Sequence, residues 1–490
     1  MTSHSRPATC PALLILALTT GAACHRGPSA AETMAAAYHE TADEIVTASV
    51  TGDGAWQKLS YLTDEIGPRI SGSASLERAI AWARDTFVKD GQVNVHLEAA
   101  HVPHWVRGNE SAAMVAPFSR PLAALALGGS VGTPPGGITA AVLVVSSFDD
   151  LAALREDIKG KIVLYNHPML GSPDPGSGYR DALPFRVAGA DRAAPLGAVA
   201  VLVRSLTAHS LGAPHTGWMK YAGKLKVPAA TLSVEDAALI GRLVARGDKV
   251  KVHLDLPAQT LPDVSSSNVV AELRGREKPD EIVVIAAHLD SWDVGQGAQD
   301  DGSGVAMVME SLATIRRLGL VPRRTLRAIL FTGEEEGRRG AKQYAADHRA
   351  ELGKIVAAFE CDAGIGEPRG FVTDGVPAWS GEARAFAGLL NTIGAGAIIP
   401  AFPGEDIDEL KGGGVPRLGL AVDLSHYFDV HHSAADTLDK VDPANLSRGV
   451  AALATMAYVV ADRPGRWVEA PVSPPDDAGS EDVAAAPPHP

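Results

Sequence analysis

The sequence predicts an α/β protein with a mostly parallel mixed sheet and helices on both faces. Through the second half of the chain, short apolar runs alternate with amphipathic segments, which is typical of strand–helix–strand units. Histidines and acidic residues follow these apolar runs, as expected where parallel strands end on a common edge that forms a site. Residues 107–265 depart from this alternation, since glycine, proline and short β-like runs dominate there. We therefore expect a β-rich domain inserted into the α/β fold.

The composition is that of a globular protein of about two domains with tails. The 490 residues are 46% hydrophobic and 21% charged, and 58 acidic against 44 basic residues give a net charge of −14. This acidic balance, without a long Lys/Arg run, argues against a nucleic-acid partner, because phosphate binding needs a basic face. Cys10 lies in the predicted export signal, and Cys24 lies at or near its cleavage point. Cys361 then has no partner, so no intrachain disulfide is expected and Cys361 is predicted to be a buried thiol.

The N-terminus has the anatomy of an export signal over residues 1–24. Arg6 precedes an apolar run at residues 11–18 and small residues at 19–23, which predicts a periplasmic or secreted protein. The run is too short for a transmembrane helix, and no other segment was expected to reach that length. Cys24 sits where a bacterial lipoprotein is cleaved and lipidated, although Gly21 stands where Leu is usual. A lipid anchor at Cys24 and simple secretion both stay open.

In chain order, residues 30–106 are predicted to begin the catalytic domain, with helices over 30–50, 54–67 and 76–87 and a strand over 93–102. Within the insert we expect strands at 142–145, 161–165, 198–203 and 227–232. Residues 266–467 complete the catalytic domain, with strands at 283–287, 326–331, 355–359 and 418–422. Residues 468–490 are rich in proline, alanine and acidic residues, a composition typical of a disordered tail.

Imidazole and carboxylate side chains cluster just after these apolar runs. They are His288, Asp290, Asp300, Glu334, Glu335, Asp362 and His432. A mixed His/carboxylate set without cysteine suits a hydrolytic zinc centre that keeps an open position. Because five ligands exceed the needs of one tetrahedral zinc, two metals sharing a bridging carboxylate is the economical interpretation. The adjacent Glu334 and Glu335 can divide the work, one binding metal and the other accepting a proton from water.

Five motifs in this order, HLD, DDGSG, TGEEEG, ECDAG and HHSAADT, resemble the M28 family of zinc aminopeptidases and carboxypeptidases. The resemblance extends over nearly the whole chain, and the insert would correspond to the family's protease-associated domain. It implies an exported metalloexopeptidase that hydrolyses dipeptides or short peptides with free termini by metal-activated water. It also implies a homodimer.

The resemblance further implies two Zn²⁺ per chain and assigns a role to each site residue. His288 and Asp362 would bind one zinc, Glu335 and His432 the other, and Asp300 would bridge them. Glu334 would be the general base. Asp290 would hydrogen-bond His288 and fix its tautomer without touching metal. Cobalt or manganese could replace zinc, since such sites do not select strongly by affinity alone.

Several neighbouring residues are predicted to have no catalytic role. The resemblance implies His432 rather than His431 as the ligand, because the family motif has this spacing to Asp436. We expect Asp301 to cap a helix or turn, and Glu336 to be a solvated acid in the first turn of the next helix. His215 and Trp218 of the insert could border the cleft or a dimer contact, but a surface loop with no catalytic part is favoured. Glu405 is hypothesised to disfavour acidic substrate side chains by repulsion.

Two other functions fit parts of the pattern. One is a glutaminyl cyclase-like acyltransferase, which shares the fold but works with one zinc. The other is a non-catalytic, receptor-like binding protein, which would lack metal ligands. Metal content of two, one or none per chain separates the three hypotheses. The peptide terminus that is recognised and the side-chain preference are not predicted by the sequence.

Overall fold

The computed structural model of the chain describes residues 1, 28–171 and 174–467. Apart from Met1, the predicted export signal with Cys24 lies outside the described residues, and so does the predicted tail at 468–490.

The strands fall into two sheets, and many of them coincide with the predicted apolar runs. In chain order they are β1 (Val93–Val106), β2 (Ser111–Ala116), β3 (Arg120–Pro121), β4 (Ala124–Ala126), β5 (Ile138–Val145), β6 (Ile162–Tyr165), β7 (Ala200–Arg204), β8 (Ala229–Leu232), β9 (Lys251–Asp255), β10 (Gln259–Leu273), β11 (Lys278–His288), β12 (Arg324–Phe331), β13 (Ile355–Glu360), β14 (Pro368–Thr373), β15 (Ala397–Pro400) and β16 (Arg417–Val422).

The α-helices connect and cover these strands. In chain order they are α1 (Ala30–Ala36), α2 (His39–Thr51), α3 (Gly54–Ser60), α4 (Ala74–Lys89), α5 (Phe148–Ala153), α6 (Pro175–Ala193), α7 (Val234–Ala245), α8 (Ser303–Arg317), α9 (Arg339–Asp347), α10 (Ser380–Ala387), α11 (Glu405–Asp408), α12 (Tyr427–Val430) and α13 (Pro443–Asp462). Short π- and 3₁₀-helical turns, such as Tyr61–Ile66 and Ala298–Gly302, link several of them.

The first sheet has the strand order β1-β10-β12-β11-β13-β16-β14-β15. Its centre, from β12 to β16, is parallel, whereas β1/β10, β10/β12 and β16/β14 pair antiparallel. Each central strand contains a continuous apolar run, as expected where helices cover both faces of a sheet. Helices α2, α3, α4, α8 and α13 share one core, and α9 and α11 pack on the opposite face. The fold class predicted from the sequence is confirmed.

The second sheet, order β3-β2-β9-β5-β6-β7-β8-β4, lies between β1 and β10 in the chain. The insert predicted to be β-rich contains helices as well as strands, since β5 to β8 pair parallel and helices α5, α6 and α7 accompany them. Parallel neighbours need crossover connections. Helix α5 lies in the connection from β5 to β6 and α6 in that from β6 to β7, whereas β7 and β8 are joined by a long loop. The 19-residue helix α6, with Pro184 inside it, was not predicted.

Strands β1 and β10 form a long antiparallel ribbon between the two sheets. Their register extends from Val93 opposite Glu272 to Val106 opposite Gln259. The chain thus enters and leaves the second sheet along neighbouring strands.

Helix α13 corrects the expectation about segment lengths. Its 20 residues are long and apolar enough to cross a membrane, but 78% of that segment is buried inside the protein. It packs against α2 and α8 in the main core. A core helix accounts for its composition.

Candidate metal centre

Four parallel strands bring the predicted site residues to one edge of the first sheet. His288 is the last residue of β11 and lies in register with Phe331, the last residue of β12. In β13, Glu360 aligns with Ala286, so the next residues of that strand emerge beside His288. Glu334, Glu335 and Asp362 follow these strand ends within a few residues. Parallel register therefore assembles groups that are distant in the sequence.

Asp300 lies at the middle of the cluster and faces two histidines. Its Oδ1 is 3.1 Å from His288 Nε2, and its Oδ2 is 3.2 Å from His432 Nε2. On one side, Asp362 Oδ1 is 3.4 Å from His288 Nε2. On the other side, Glu335 Oε2 is 3.0 Å from His432 Nε2. The five predicted ligands thus form two imidazole–carboxylate pairs that share the Asp300 carboxylate.

The electrostatics of the cluster favour protonated imidazoles when no metal is bound. Burial alone would lower the pKa of His288, but hydrogen bonds to Asp300 and Asp362 raise it well above its usual value. Burial also opposes the charge on His432, yet Glu335 and Asp300 raise its pKa to about 9. Burial and the charge of Asp300 raise the pKa of Glu335. A cation that displaces these protons would relieve the crowding of buried carboxylates.

The role predicted for the Asp290 carboxylate is corrected by the structure. Its nearest oxygen is 3.8 Å from His288 Nδ1, beyond hydrogen-bonding distance, whereas the backbone carbonyl of Asp290 is 3.1 Å away. The carboxylate instead accepts backbone N–H bonds from Gly333 (2.8 Å), Glu334 (3.2 Å) and Glu335 (3.3 Å). Asp290 therefore anchors the loop that carries both glutamates, while its carbonyl orients His288.

Asp436 organises the Asp300 turn in the same manner. Its buried carboxylate accepts backbone N–H bonds from Ala298, Gln299 and Asp300 at 2.7–3.1 Å. Because Asp436 follows His432 by four residues, it ties the loop of one metal-ligand candidate to the turn of another. Asp301, as predicted, serves the backbone: its carboxylate accepts from the amides of His288 (3.2 Å) and Gly304 (3.1 Å).

Glu334 lies on the same loop as Glu335, and its pKa is raised well above the usual value, mainly by burial. A carboxylate with a raised pKa is suited to accept and later return a proton near neutral pH.

The prediction that Glu336 is a solvated acidic residue in the first turn of a helix is wrong. It is fully buried, and burial raises its pKa well above the usual value. The physical reason is that the loop folds back on itself, with Gly340 N bonded to Thr332 O at 2.7 Å, and α9 begins only at Arg339. Three consecutive glutamates gave no sign of this burial.

His431 is closer to the cluster than the sequence indicated. Its ring stacks on that of His432 at 3.6 Å, and its Nε2 is 3.4 Å from Asp300 Oδ2. By distance alone, Asp300, His431 and His432 form one group able to hold a metal ion, and His288, Asp301 and Asp362 another. Only His432 also contacts Glu335.

The second sheet borders the metal centre, contrary to the predicted surface loop. His215 is 2% exposed, and burial lowers its pKa to about 3, so the ring is neutral. Trp218 is partly buried and pairs with Gly128. The loop between β7 and β8 is packed against the segment that carries His432. Tyr179 and Arg186 of α6 reach the same segment, and no motif in the sequence indicated either residue.

Glu405 does not stand alone at the other side of the site. Its Oε2 lies 3.4 Å from Arg338 Nη1, which also contacts Glu409 at 3.2 Å. A paired carboxylate repels an acidic substrate less than an isolated one, which weakens the hypothesis for Glu405.

Comparison with known proteins identifies the family of the chain. The profile described as Peptidase family M28 matches residues 268–457. Carboxypeptidase Q of Mus musculus is 43% identical over 433 residues, which cover 87% of this chain and 90% of that protein. The chain belongs to peptidase family M28. The crystal structure of a peptidase M28 precursor from Shewanella amazonensis SB2B is 34% identical to this M28 peptidase, with a TM-score of 0.85, and covers 90% of this chain and 100% of its own.

This M28 peptidase is thus a metallopeptidase. A zinc aminopeptidase from Bacillus subtilis shares its fold, with a TM-score of 0.64, 20% identity and coverage of 84% of this chain and 96% of the other. The donor set fits zinc on its own chemistry, since it consists of imidazoles and carboxylates. Glu335 Oε1 is buried and has no hydrogen-bond partner among the described residues, as expected of an oxygen that a cation would satisfy.

Proposed function

We propose that this M28 peptidase is an exported di-zinc exopeptidase that hydrolyses dipeptides or short peptides with free termini. The observation that carries the proposal is the Asp300 carboxylate, whose two oxygens face His288 and His432 separately. One carboxylate between two imidazole–carboxylate pairs is the arrangement that a two-metal site requires.

In this proposal His288 and Asp362 would hold one zinc, Glu335 and His432 would hold the other, and Asp300 would serve both. When bound, the metals would polarise the scissile carbonyl and increase the acidity of a water molecule. Glu334 takes the proton from water and returns it to the leaving amine. Asp290 keeps Glu334 within reach by fixing its backbone amide.

The proposal extends to domains and location. Residues 107–265 would be a protease-associated domain, which the separate second sheet within that range supports. Residues 30–106 and 266–467 would form the catalytic domain, 1–24 an export signal and 468–490 a tail. Carboxypeptidase Q as a relative favours cleavage next to a free carboxyl terminus. A homodimer and a lipid anchor at Cys24 belong to the same proposal.

The test combines metal content with turnover of a dipeptide panel whose members are also blocked at either terminus. The parent should bind two zinc ions and cleave, and chelation should abolish cleavage. Glu334→Gln should keep both zinc ions and lose about 10²–10⁴-fold in kcat, the usual contribution of a general base. The exposed Glu351→Gln controls for the substitution and should behave as the parent.

Other outcomes favour the alternative functions. One zinc per chain together with cyclisation of N-terminal glutamine would support the acyltransferase. Absence of bound zinc would support the receptor-like protein. Unchanged turnover in Glu334→Gln would contradict the role of that residue.

A further inference from the structure

One residue of the second sheet's β7–β8 loop contacts His432 twice. The Thr216 amide donates to the His432 carbonyl oxygen at 2.9 Å. The Thr216 carbonyl oxygen lies 3.3 Å from His432 Nδ1. The backbone and the ring of His432 are therefore both held from outside the first sheet.

These contacts define the conformation that a ligand at this position needs. His432 has a φ of +59°, a left-handed conformation that is strained for a non-glycine residue. The Thr216 amide bond helps to hold it. Since His432 Nε2 faces Asp300 and Glu335, metal binding through Nε2 leaves the proton on Nδ1, and the Thr216 carbonyl accepts it. Such outer contacts fix the tautomer and the ring orientation of metal ligands.

Arg186 of α6 braces the same contact. Its Nη1 donates to the Thr216 carbonyl oxygen at 3.5 Å. It also lies 3.4 Å from His432 Nδ1, but makes no hydrogen bond there because both nitrogens carry protons in this tautomer, so Arg186 acts through the Thr216 carbonyl. The side chain is 7% exposed, and its guanidinium lies over the Tyr179 ring at 5.5 Å. Among the described residues, no carboxylate is within 4.0 Å of Arg186. A buried guanidinium without an acid is costly, so an ion pair does not explain its position.

We propose that Arg186 and the Thr216 backbone are positioning groups of the metal centre, through which the second sheet holds His432 in its ligating orientation. This inference rests on the proposed two-zinc function. It also makes the two zinc sites unequal. The site of His432 and Glu335 depends on the second sheet, whereas His288 is held, within the part of the chain that the structure describes, by Asp290, Asp300 and Asp301, which follow β11 of the first sheet.

Two substitutions perturb the contact independently. Arg186→Met removes the guanidinium and keeps much of its apolar volume. Gly217→Ala places a Cβ 2.4 Å from Arg186 Nη1, at a residue with a φ of +139°, and so displaces the guanidinium without deleting it. Arg192→Met is the matched control, because Arg192 lies on the same helix, is exposed and stacks on Phe148 instead.

The experiment titrates each metal-depleted protein with zinc at buffered concentrations and measures its unfolding midpoint in parallel. Arg186→Met and Gly217→Ala should weaken one of the two zinc ions about 10–100-fold, the range for lost outer contacts to a metal ligand. The other zinc should bind as in the parent. kcat should fall with zinc occupancy and recover at high zinc, with KM unchanged. Arg186→Lys, which keeps one donor, should fall between Arg186→Met and the parent.

Three outcomes would overturn the inference while the proposed function stands. The first is a parent-like affinity for both zinc ions in Arg186→Met and Gly217→Ala. The second is equal weakening of both sites together with a lowered unfolding midpoint, which indicates general destabilisation. The third is unchanged zinc binding with a raised KM only for peptides with a free carboxyl terminus, which makes Arg186 a substrate contact. A parent that binds fewer than two zinc ions overturns the inference and the proposed function together.

Discussion

Replacing Asp290 by Asn tests whether its carboxylate anchors the glutamate loop. Asp290 is completely buried, and its Oδ1 serves the amides of Gly333 and Glu334 while its Oδ2 serves Glu335. In Asp290→Asn one oxygen can still accept from Gly333 and Glu334. The new amide group then points its N–H donors at the N–H of Glu335.

The expected loss follows from these bonds. Hydrogen bonds to a charged group contribute about 1.5–3 kcal/mol each, and a buried donor left unpaired adds a similar penalty. We therefore expect Asp290→Asn to lower the free energy of unfolding by about 2–4 kcal/mol. A loop displaced by about 1 Å can reduce kcat roughly 10²-fold, because Glu334 then lies out of line.

Chemical denaturation and steady-state kinetics of the zinc-loaded protein measure both quantities. Asp442→Asn is the control, since Asp442 is an exposed helix cap that accepts from the amides of Ala444 and Asn445. Asn caps helices about as well as Asp, so the control should change stability by less than about 0.5 kcal/mol. A parent-like unfolding midpoint and kcat in Asp290→Asn would refute the reasoning. Selective loss of one zinc without loss of stability would restore the carboxylate–His288 role expected from the sequence.

Two further predictions concern protons and packing. Since the pKa of His432 is about 9 in the metal-free site, zinc must displace a proton at pH 7, and affinity should rise about 50-fold from pH 7 to pH 9. Isothermal titration in two buffers measures the released proton, and a pH-independent affinity would contradict this prediction. The same shift stabilises the metal-free protein fully below pH 6.5, and this contribution is lost as pH rises through about 9. Leu312→Ala, in the buried stripe of α8, should lower the free energy of unfolding by about 2–5 kcal/mol. Leu211→Ala is the control, because this side chain is 92% exposed, and denaturation should show little change in its free energy of unfolding. Equal losses in the two variants would contradict the assignment of Leu312 to the core.

The first sheet was predictable because its central strands are apolar on both faces and end in residues that carry chemistry. Residues 283–287, 326–331, 355–359 and 418–422 all lie within strands of the structure. Parallel order then places their ends together, which is why His288, Asp362 and Glu335 meet as expected. The motif order also predicted the family, which the comparisons confirm.

The errors arose where tertiary contacts override local patterns. Glu336 belongs to a run of three acidic residues, which predicts an exposed side chain, but loop closure buries it. Helix α6 contains Pro184 and three glycines, which predict a loop by propensity. The contact between Thr216 and His432 joins residues 216 positions apart, and no local pattern encodes such a pairing. Asp290 was placed correctly at its strand end, but the partner of its carboxylate depends on how the loop of residues 332–340 closes.

The ribbon of β1 and β10 has a consequence for the order of folding. Pairing Val106 with Gln259 closes a loop of about 150 residues, at an entropic cost of about 4 kcal/mol if the loop is unstructured. In the second sheet Ser111 already lies opposite Asp255. Once that sheet has formed, Val106 and Gln259 are each only a few residues from a paired position. The loop that remains to be closed is then short, which removes about half of the entropic cost. The second sheet then acts as the turn of a very long hairpin, from which β1 and β10 pair outward. Pulsed hydrogen exchange during refolding should protect amides of β6 and β7 before those of the ribbon, and the reverse order would exclude this route.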